Sequence, residues 1–171
     1  MRRSARLSIV VPTVSPSAIL RASLRQTAAA ASRILFVHET AGELLFDRLL
    51  IETLGKSAGS VTSVLRSAPS LGGAIEADAL DIGLEKVATL TDPGVDCRGL
   101  LLGSSSDKFI EEYEAADLVI AKGQAAFETL EGASGGSSKE KKAVFFLLRA
   151  KCAVIAGELG VSPGDCVVER N

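Results

Sequence analysis

Short runs of consecutive apolar residues constrain the fold of this chain most strongly. Clear examples lie at residues 34–37 and 118–121, and polar or glycine-containing segments bound each of them. A run of four apolar residues suits a strand that is buried on both faces, and it is too short for a buried helix. Between these runs the apolar spacing becomes helical, as it is across residues 42–54 with Leu44, Leu45, Leu49, Leu50 and Leu54.

Along the chain, the strand-like apolar runs alternate with segments of helical spacing. We predict strands near residues 34–37, 61–66, 86–90, 118–121, 143–148 and 166–168, with helices between them and a flexible Gly-Ser-rich loop over residues 131–142. Strands that alternate with helices indicate an α/β fold, a three-layer, doubly wound and mostly parallel sheet with helices on both faces. Ligands bind such sheets at the carboxyl ends of the strands, which here follow residues 37, 66, 121 and 148.

Composition supports one globular domain and excludes several classes of protein. Of the 171 residues 47% are hydrophobic and only 4% are aromatic, so Ala, Leu, Val and Ile are expected to fill the core. The net charge of -2 gives no bulk attraction to nucleic acid, and no stretch reaches the length of a membrane span. Three widely spaced cysteines favour reduced thiols and a cytoplasmic location.

The first part of the chain differs in charge from the rest. Residues 1–38 contain six arginines and no carboxylate, a pattern shared by transit peptides and by ordinary basic helices. The apolar run at residues 7–11 is too short for a secretory signal. We therefore predict a basic N-terminal helical segment over residues 1–32 and a Rossmann-like α/β domain over residues 33–171.

Three separate motifs follow the predicted strands in order. They are His38-Glu39-Thr40-Ala41-Gly42-Glu43, Asp117-Leu118-Val119-Ile120-Ala121-Lys122-Gly123-Gln124, and Phe145-Phe146-Leu147-Leu148-Arg149-Ala150-Lys151-Cys152. Together they resemble the metal-dependent damage-control phosphatase family, which has an ARMT-like fold and was formerly catalogued as a domain of unknown function. The resemblance covers about residues 34–168. Because the family's longer helical N-terminal region is not matched, the chain is expected to be a natural short form or a fragment.

The resemblance implies a function and a set of site residues. The family hydrolyses small phosphorylated metabolites such as sugar phosphates with a divalent metal, which is manganese, cobalt, nickel or magnesium. Glu39 and Thr40 match the family's Asp-Asn metal ligands, and Gly72 and Gly73 match its Asn-Asp pair. Glu39 is thus the candidate metal ligand and Lys122 the candidate catalytic cation. Lys122, Gly123 and Thr40 are the candidate phosphate-binding residues.

Other interpretations of these residues stay open. Glu39 also suits a carboxylate at the start of a helix, and Glu43 and Asp47 suit first-turn charges with Arg48 as an ion-pair partner. His38 is expected to be packed at a strand end, and Lys151 to neighbour the site.

The altered ligand positions leave a second function open. The alternative is a catalytically inactive, metal-free homologue that binds phosphate or acts as a scaffold. A nucleotide-binding domain ranks last because no G-x-G-x-x-G motif follows a strand.

Overall fold

The strands form one mixed sheet. The computed structural model describes residues 7–11, 18–66, 68–69, 72–97, 99–131 and 142–171. Within these residues the strands are β1 (Leu7–Val11), β2 (Arg33–Val37), β3 (Ser60–Val64), β4 (Thr89–Thr91), β5 (Leu118–Lys122), β6 (Ala143–Arg149) and β7 (Cys166–Arg170). They lie in the order β1-β7-β6-β5-β2-β3-β4.

The described helices connect these strands. They are α1 (Ala18–Ala30), α2 (Leu44–Gly55), α3 (Glu76–Asp81), α4 (Asp107–Ala115), α5 (Gln124–Leu130) and α6 (Ala153–Leu159). The hydroxyl of Ser106 caps α4 by accepting a hydrogen bond from the amide of Phe109 at 3.3 Å. No helix in these ranges is both long and apolar enough to cross a membrane.

The connections create a switch in strand order at the middle of the sheet. From β2 the chain adds β3 and then β4 on one side, and it then returns to place β5 and β6 on the other side. These five strands are parallel, whereas β7 is antiparallel to both β6 and β1. A crevice opens above the carboxyl ends of two strands where the order reverses, and doubly wound proteins bind ligands there. Here the reversal lies between β2 and β5.

Helices cover both faces of the sheet, as a three-layer fold requires. Alternate residues of β2 point to opposite faces, so Ile34 and Phe36 join one core cluster while Leu35 and Val37 join the other. Helices α1, α2 and α3 contribute to the first cluster, and α4, α5 and α6 contribute to the second. The predicted fold class is therefore confirmed. Although aromatic residues are few, several of them lie in the core. The largest fully buried side chains include Phe36, Phe109, Phe127, Phe145 and Phe146.

Two boundaries differ from the prediction. The segment 1–32 contains the predicted helix, but residues 7–11 form a strand that pairs with β7, so a purely helical segment is wrong. The division at residue 32 stays a prediction. The strand expected at residues 86–90 is β4, Thr89–Thr91, because Lys86 ends a 3₁₀ turn. Most of the loop predicted at residues 131–142 lies outside the described residues.

Helix α2 shows a larger departure from the apolar pattern. Leu45 and Leu49, which the helical spacing includes, are each 55% exposed, and Phe46 is 72% exposed. Asp47 instead lies inward at 2% exposure. A buried carboxylate requires a partner, and that partner lies at the candidate site.

Candidate functional site

The predicted site residues meet at the switch in strand order. Glu39 and Thr40 follow β2, Lys122 ends β5 and Lys151 follows β6. Because β2, β5 and β6 are adjacent and parallel, their carboxyl ends lie at the same edge of the sheet. We call the residues His38, Glu39, Glu43, Asp47, Lys122 and Lys151 the strand-end cluster.

Asp47 is the centre of the buried part of the strand-end cluster. Its Oδ1 accepts a hydrogen bond from the Lys122 ammonium at 2.5 Å, and its Oδ2 lies 2.8 Å from Nδ1 of His38. The ammonium also donates to Oε2 of Glu43 at 2.5 Å. Glu43 is 43% exposed whereas Asp47 is 3% exposed at the side chain. Asp47 therefore holds Lys122 from the buried side, and Glu43 contacts it from the solvent side.

These contacts keep Lys122 charged. Burial on its own would lower the pKa of Lys122, but the hydrogen bonds and negative charges of Asp47 and Glu43 outweigh burial and raise its pKa above the usual value. Neutral lysine cannot offset charge on an anionic ligand, so this arrangement preserves the property that a phosphate-binding lysine needs.

A second ion pair lies beside the first. Lys151 Nζ is 3.1 Å from Oε1 of Glu39, and its side chain is 56% exposed against 17% for Glu39. The Glu39 carboxylate lies against Gly123, where an added β-carbon would overlap it. Gly123 also has a positive φ of 87°, which non-glycine residues rarely adopt. Glycine at this position thus makes room for Glu39.

Gly123 as a phosphate-binding residue stays a prediction. The amide of Gly123 donates to the carbonyl of Leu147 at 2.9 Å. The neighbouring Gln124 accepts from the amide of Lys151 at 2.8 Å through Oε1. That bond ties the start of α5 to the segment that carries Lys151. Gly123 and Gln124 therefore shape the site, and Lys122 and Lys151 supply its positive charge.

The two other predicted ligand positions also come together. Thr40 and Gly73 form an isolated antiparallel β-bridge, and the amide of Ala41 donates to the carbonyl of Gly72 at 3.1 Å. Thr40 and the two glycines are therefore adjacent in the structure, and the match of Gly72 and Gly73 to a ligand position stays a prediction. Neither glycine brings a side-chain donor to the site.

Comparison with known proteins identifies the family. The model of the damage-control phosphatase ARMT1-like domain matches residues 13–167. The chain belongs to this family. A damage-control phosphatase from Pyrococcus horikoshii is 35% identical over 142 residues, which are 82% of this chain and 47% of the relative. An uncharacterised protein from Methanocaldococcus jannaschii is 35% identical over 136 residues, which are 80% of this chain and 44% of the relative.

A solved structure supports the same fold. The crystal structure of a DUF89 family protein from Pyrococcus horikoshii matches with a TM-score of 0.76 and 33% identity, over 85% of this chain and 49% of that chain. The chain thus spans about half the length of the relatives it matches.

The residues at the family's ligand positions do not fit a divalent metal in this member of the damage-control phosphatase family. Hard cations take several oxygen ligands in defined geometry, but Gly73 offers no side chain and Glu39 is paired with Lys151. Among the described residues no group of three or more His, Cys, Asp or Glu side chains is arranged to hold a metal ion. Glu39 as a metal ligand stays a prediction without a matching set of donors.

Sequence reasoning missed the central position of Asp47. It favoured an ion pair with Arg48, but Nε of Arg48 instead donates to Oε1 of Glu52 at 3.0 Å, one helical turn away. His38 is packed at a strand end, as expected, and it also contacts Asp47. The available signal was an aspartate on the apolar face of an amphipathic helix, which demands a buried partner.

Proposed function

We propose that this chain is the phosphate-binding part of a phosphatase that acts on small phosphorylated metabolites such as sugar phosphates. The observation that carries the proposal is the Lys122 ammonium, held at the end of β5 by Asp47 and Glu43. It lies at the switch in strand order, where folds of this type bind ligands. Membership of the damage-control phosphatase family supplies the class of reaction.

In this proposal the two carboxylates around Lys122 have different tasks. Asp47 is buried and also contacts His38, so it stays in place when a ligand arrives. Glu43 is half exposed, and exposed ion pairs contribute only about 0–1 kcal/mol. A phosphate can therefore displace Glu43 and accept a hydrogen bond from Lys122, while Asp47 keeps the ammonium oriented.

Lys151 provides a second positive charge for the same phosphate. Its side chain is more than half exposed, and among the described residues its ammonium pairs with Glu39. Two ammonium groups that flank one phosphoryl group would offset the charge that develops on it during transfer. In this proposal Lys122 is the catalytic cation, Thr40 and Lys151 are neighbours of the phosphate, and Gly123 leaves space for Glu39.

Phosphate release from a panel of sugar phosphates tests the activity. The assays include manganese, cobalt, nickel or magnesium, with chelator as the control. We expect release that Lys122→Ala and Lys151→Ala each lower by at least about 10-fold, since charge-assisted contacts contribute about 1.5–3 kcal/mol. The exposed Lys56→Ala is the matched control and should keep full activity. Absence of release by a folded sample under every condition would exclude the phosphatase.

The alternative is a metal-free homologue that binds phosphate without hydrolysing it. The observation that favours it is the pair of ligand positions occupied by Thr40 and Gly73, which bring no carboxylate to the site. Titration of inorganic phosphate into the chain separates the two functions. Binding that requires Lys122, together with no turnover, supports the alternative.

We also propose a cytoplasmic location. Cys97, Cys152 and Cys166 are all free thiols in the structure, and reduced thiols persist in that compartment. Formation of a disulfide by the chain isolated from its own cells would contradict this location.

A further inference from the structure

A second polar cleft lies at the same edge of the sheet, at the carboxyl ends of β3 and β4. It has a volume of about 170 Å³, and its lining includes Arg66, Glu76, Thr91, Asp92 and Lys108. Pockets for drug-sized ligands measure about 300–1,000 Å³. This smaller cleft therefore fits a few heavy atoms, such as an anionic group with one or two hydroxylated carbons.

The charges that line this cleft are not paired with one another. The described residues show no ion pair between the two cations, Arg66 and Lys108, and the two carboxylates, Glu76 and Asp92. Nη1 of Arg66 is buried and has no hydrogen-bond partner within the described ranges. A buried guanidinium N–H without an acceptor is costly, so Arg66 favours an acceptor brought by a ligand.

The cleft adjoins the strand-end cluster through one residue of backbone. The amide of Ala74 donates to the carbonyl of Glu39 at 3.4 Å, and the carbonyl of Ala74 accepts from the amide of Arg66 at 3.0 Å. Ala74 itself is buried. A ligand that lies over this short segment would place one end near Lys122 and Lys151 and its other end near Arg66.

We propose that the cleft binds a second anionic group of the substrate, a carboxylate or a phosphate, through Arg66 and Lys108. The hydroxyl groups between the two anionic ends then donate to Glu76 and Asp92 and exchange hydrogen bonds with Thr91. This inference rests on the proposed function, because it makes the preferred substrate a phosphorylated sugar that carries a second negative charge. A guanidinium binds either anion through paired N–H donors.

Binding measurements on the full 171-residue chain test the inference without requiring turnover. The probes are 6-phosphogluconate, whose second anion is a carboxylate, fructose 1,6-bisphosphate, whose second anion is a phosphate, and glucose 6-phosphate, which has none. We expect at least one doubly anionic probe to bind at least about 10-fold more tightly than glucose 6-phosphate, as one added charge-assisted contact predicts. The stronger of the two identifies the second group.

Substitutions assign the preference to the cleft. Arg66→Gln should remove the preference and leave the affinity for glucose 6-phosphate within about twofold. Lys108→Gln, on the exposed side of α4, should reduce the preference by a smaller factor and provides a second variant if Arg66→Gln does not fold. Arg25→Gln, an exposed position on α1, is the matched control and should change nothing.

The outcomes separate this inference from the proposed function. Equal affinity for all three probes, no binding of either doubly anionic probe, or identical effects of Arg66→Gln and Arg25→Gln would overturn the inference. Phosphate release with no preference would keep the phosphatase and reject the cleft. A preference that depends on Arg66 without phosphate release would keep the cleft and reject the phosphatase.

Discussion

The strand-end cluster and the cleft lie at one edge of the sheet, but they differ in whether their charged side chains form ion pairs. In the cluster Lys122 contacts two carboxylates, and Lys151 contacts a third. In the cleft Arg66 and Lys108 make no such pair within the described residues. Paired buried charges hold one another in position, and removal of one leaves the other uncompensated. Unpaired charges at a cleft contribute little to folding and are available to a ligand.

The comparison predicts its largest effect at Asp47. Asp47→Ala leaves the Lys122 ammonium without its buried partner and removes the contact of His38. Breaking a buried pair in this way costs about 3–5 kcal/mol, which corresponds to a fall in Tm on the order of 10 °C for a chain of this size. Thermal unfolding measures it. Asp81→Ala, at an exposed position of α3, is the control and should stay within about 0.5 kcal/mol.

An equal fall in Tm for Asp47→Ala and Asp81→Ala would mean that the buried pair does not stabilise the fold. The cluster would then be no more rigid than the cleft.

The next effect comes from Gly123, which makes room for Glu39. Gly160 is the control for a positive φ without a steric neighbour: its φ and ψ are 69° and 32° against 87° and 161° for Gly123, and an added β-carbon there meets nothing within 4 Å. Gly160→Ala should cost about 1–2 kcal/mol from the left-handed backbone alone. Gly123→Ala should cost at least about 1 kcal/mol more, because its backbone conformation is nearly restricted to glycine and because the Glu39 carboxylate must leave its position and its contact with Lys151.

Urea unfolding of both variants measures this difference. Equal losses would show that Glu39 moves freely and that its ion pair with Lys151 contributes nothing to stability.

The fold was predictable from sequence because its signals are local. An apolar run such as residues 34–37, or a helical spacing such as residues 42–54, depends only on neighbouring residues. The strand-end positions of Lys122 and Glu39 followed from the same reasoning. Asp47 did not, because its partner lies 75 residues away and Arg48 offered a charge next to it.

The cleft was harder to predict than the cluster. Its charged residues come from separate segments: Arg66 after β3, Glu76 in α3, Asp92 after β4 and Lys108 in α4. Each is ordinary for a surface position, and none belongs to a motif. Only the end of a strand at residue 66 pointed to this edge. Sequence therefore predicts a site whose residues follow local patterns. A structure is needed to find a site whose residues are brought together by the packing of separate elements.

A third prediction uses pH to distinguish a lysine whose pKa is raised from one whose pKa is lowered. The pKa of Lys122 is raised because Asp47 and Glu43 outweigh burial, whereas burial lowers the pKa of Lys142 despite the charges of Glu114 and Asp117. A raised pKa stabilises the fold fully below the unfolded pKa of about 10.5, and this stabilisation disappears as pH rises through the folded value. The lowered pKa of Lys142 has the opposite effect on stability. Its charge destabilises the fold at low pH, and this destabilisation decreases as pH rises from the folded pKa to the unfolded pKa.

Urea unfolding of Lys122→Met and Lys142→Met across pH 8–11 measures both slopes. Relative to the parent chain, Lys122→Met should lose less stability as pH approaches 11. Lys142→Met should gain an advantage at pH 8 that shrinks as pH rises. Parallel pH profiles for the two variants would contradict both assignments.

The smallest effect on stability is expected in the cleft. Glu76→Gln and Lys108→Gln remove charges that make no ion pair within the described ranges, so each should change the free energy of unfolding by less than about 0.5 kcal/mol. Urea unfolding without ligand measures this change. A loss above about 1 kcal/mol would mean that these side chains hold the fold together, as those of the cluster do. With 6-phosphogluconate present, a binding cleft makes the parent chain more stable than Lys108→Gln, because a ligand stabilises the state that binds it more tightly. Lys108→Gln would then weaken binding without changing the stability of the free chain, whereas Asp47→Ala is expected to lower the stability of the free chain itself.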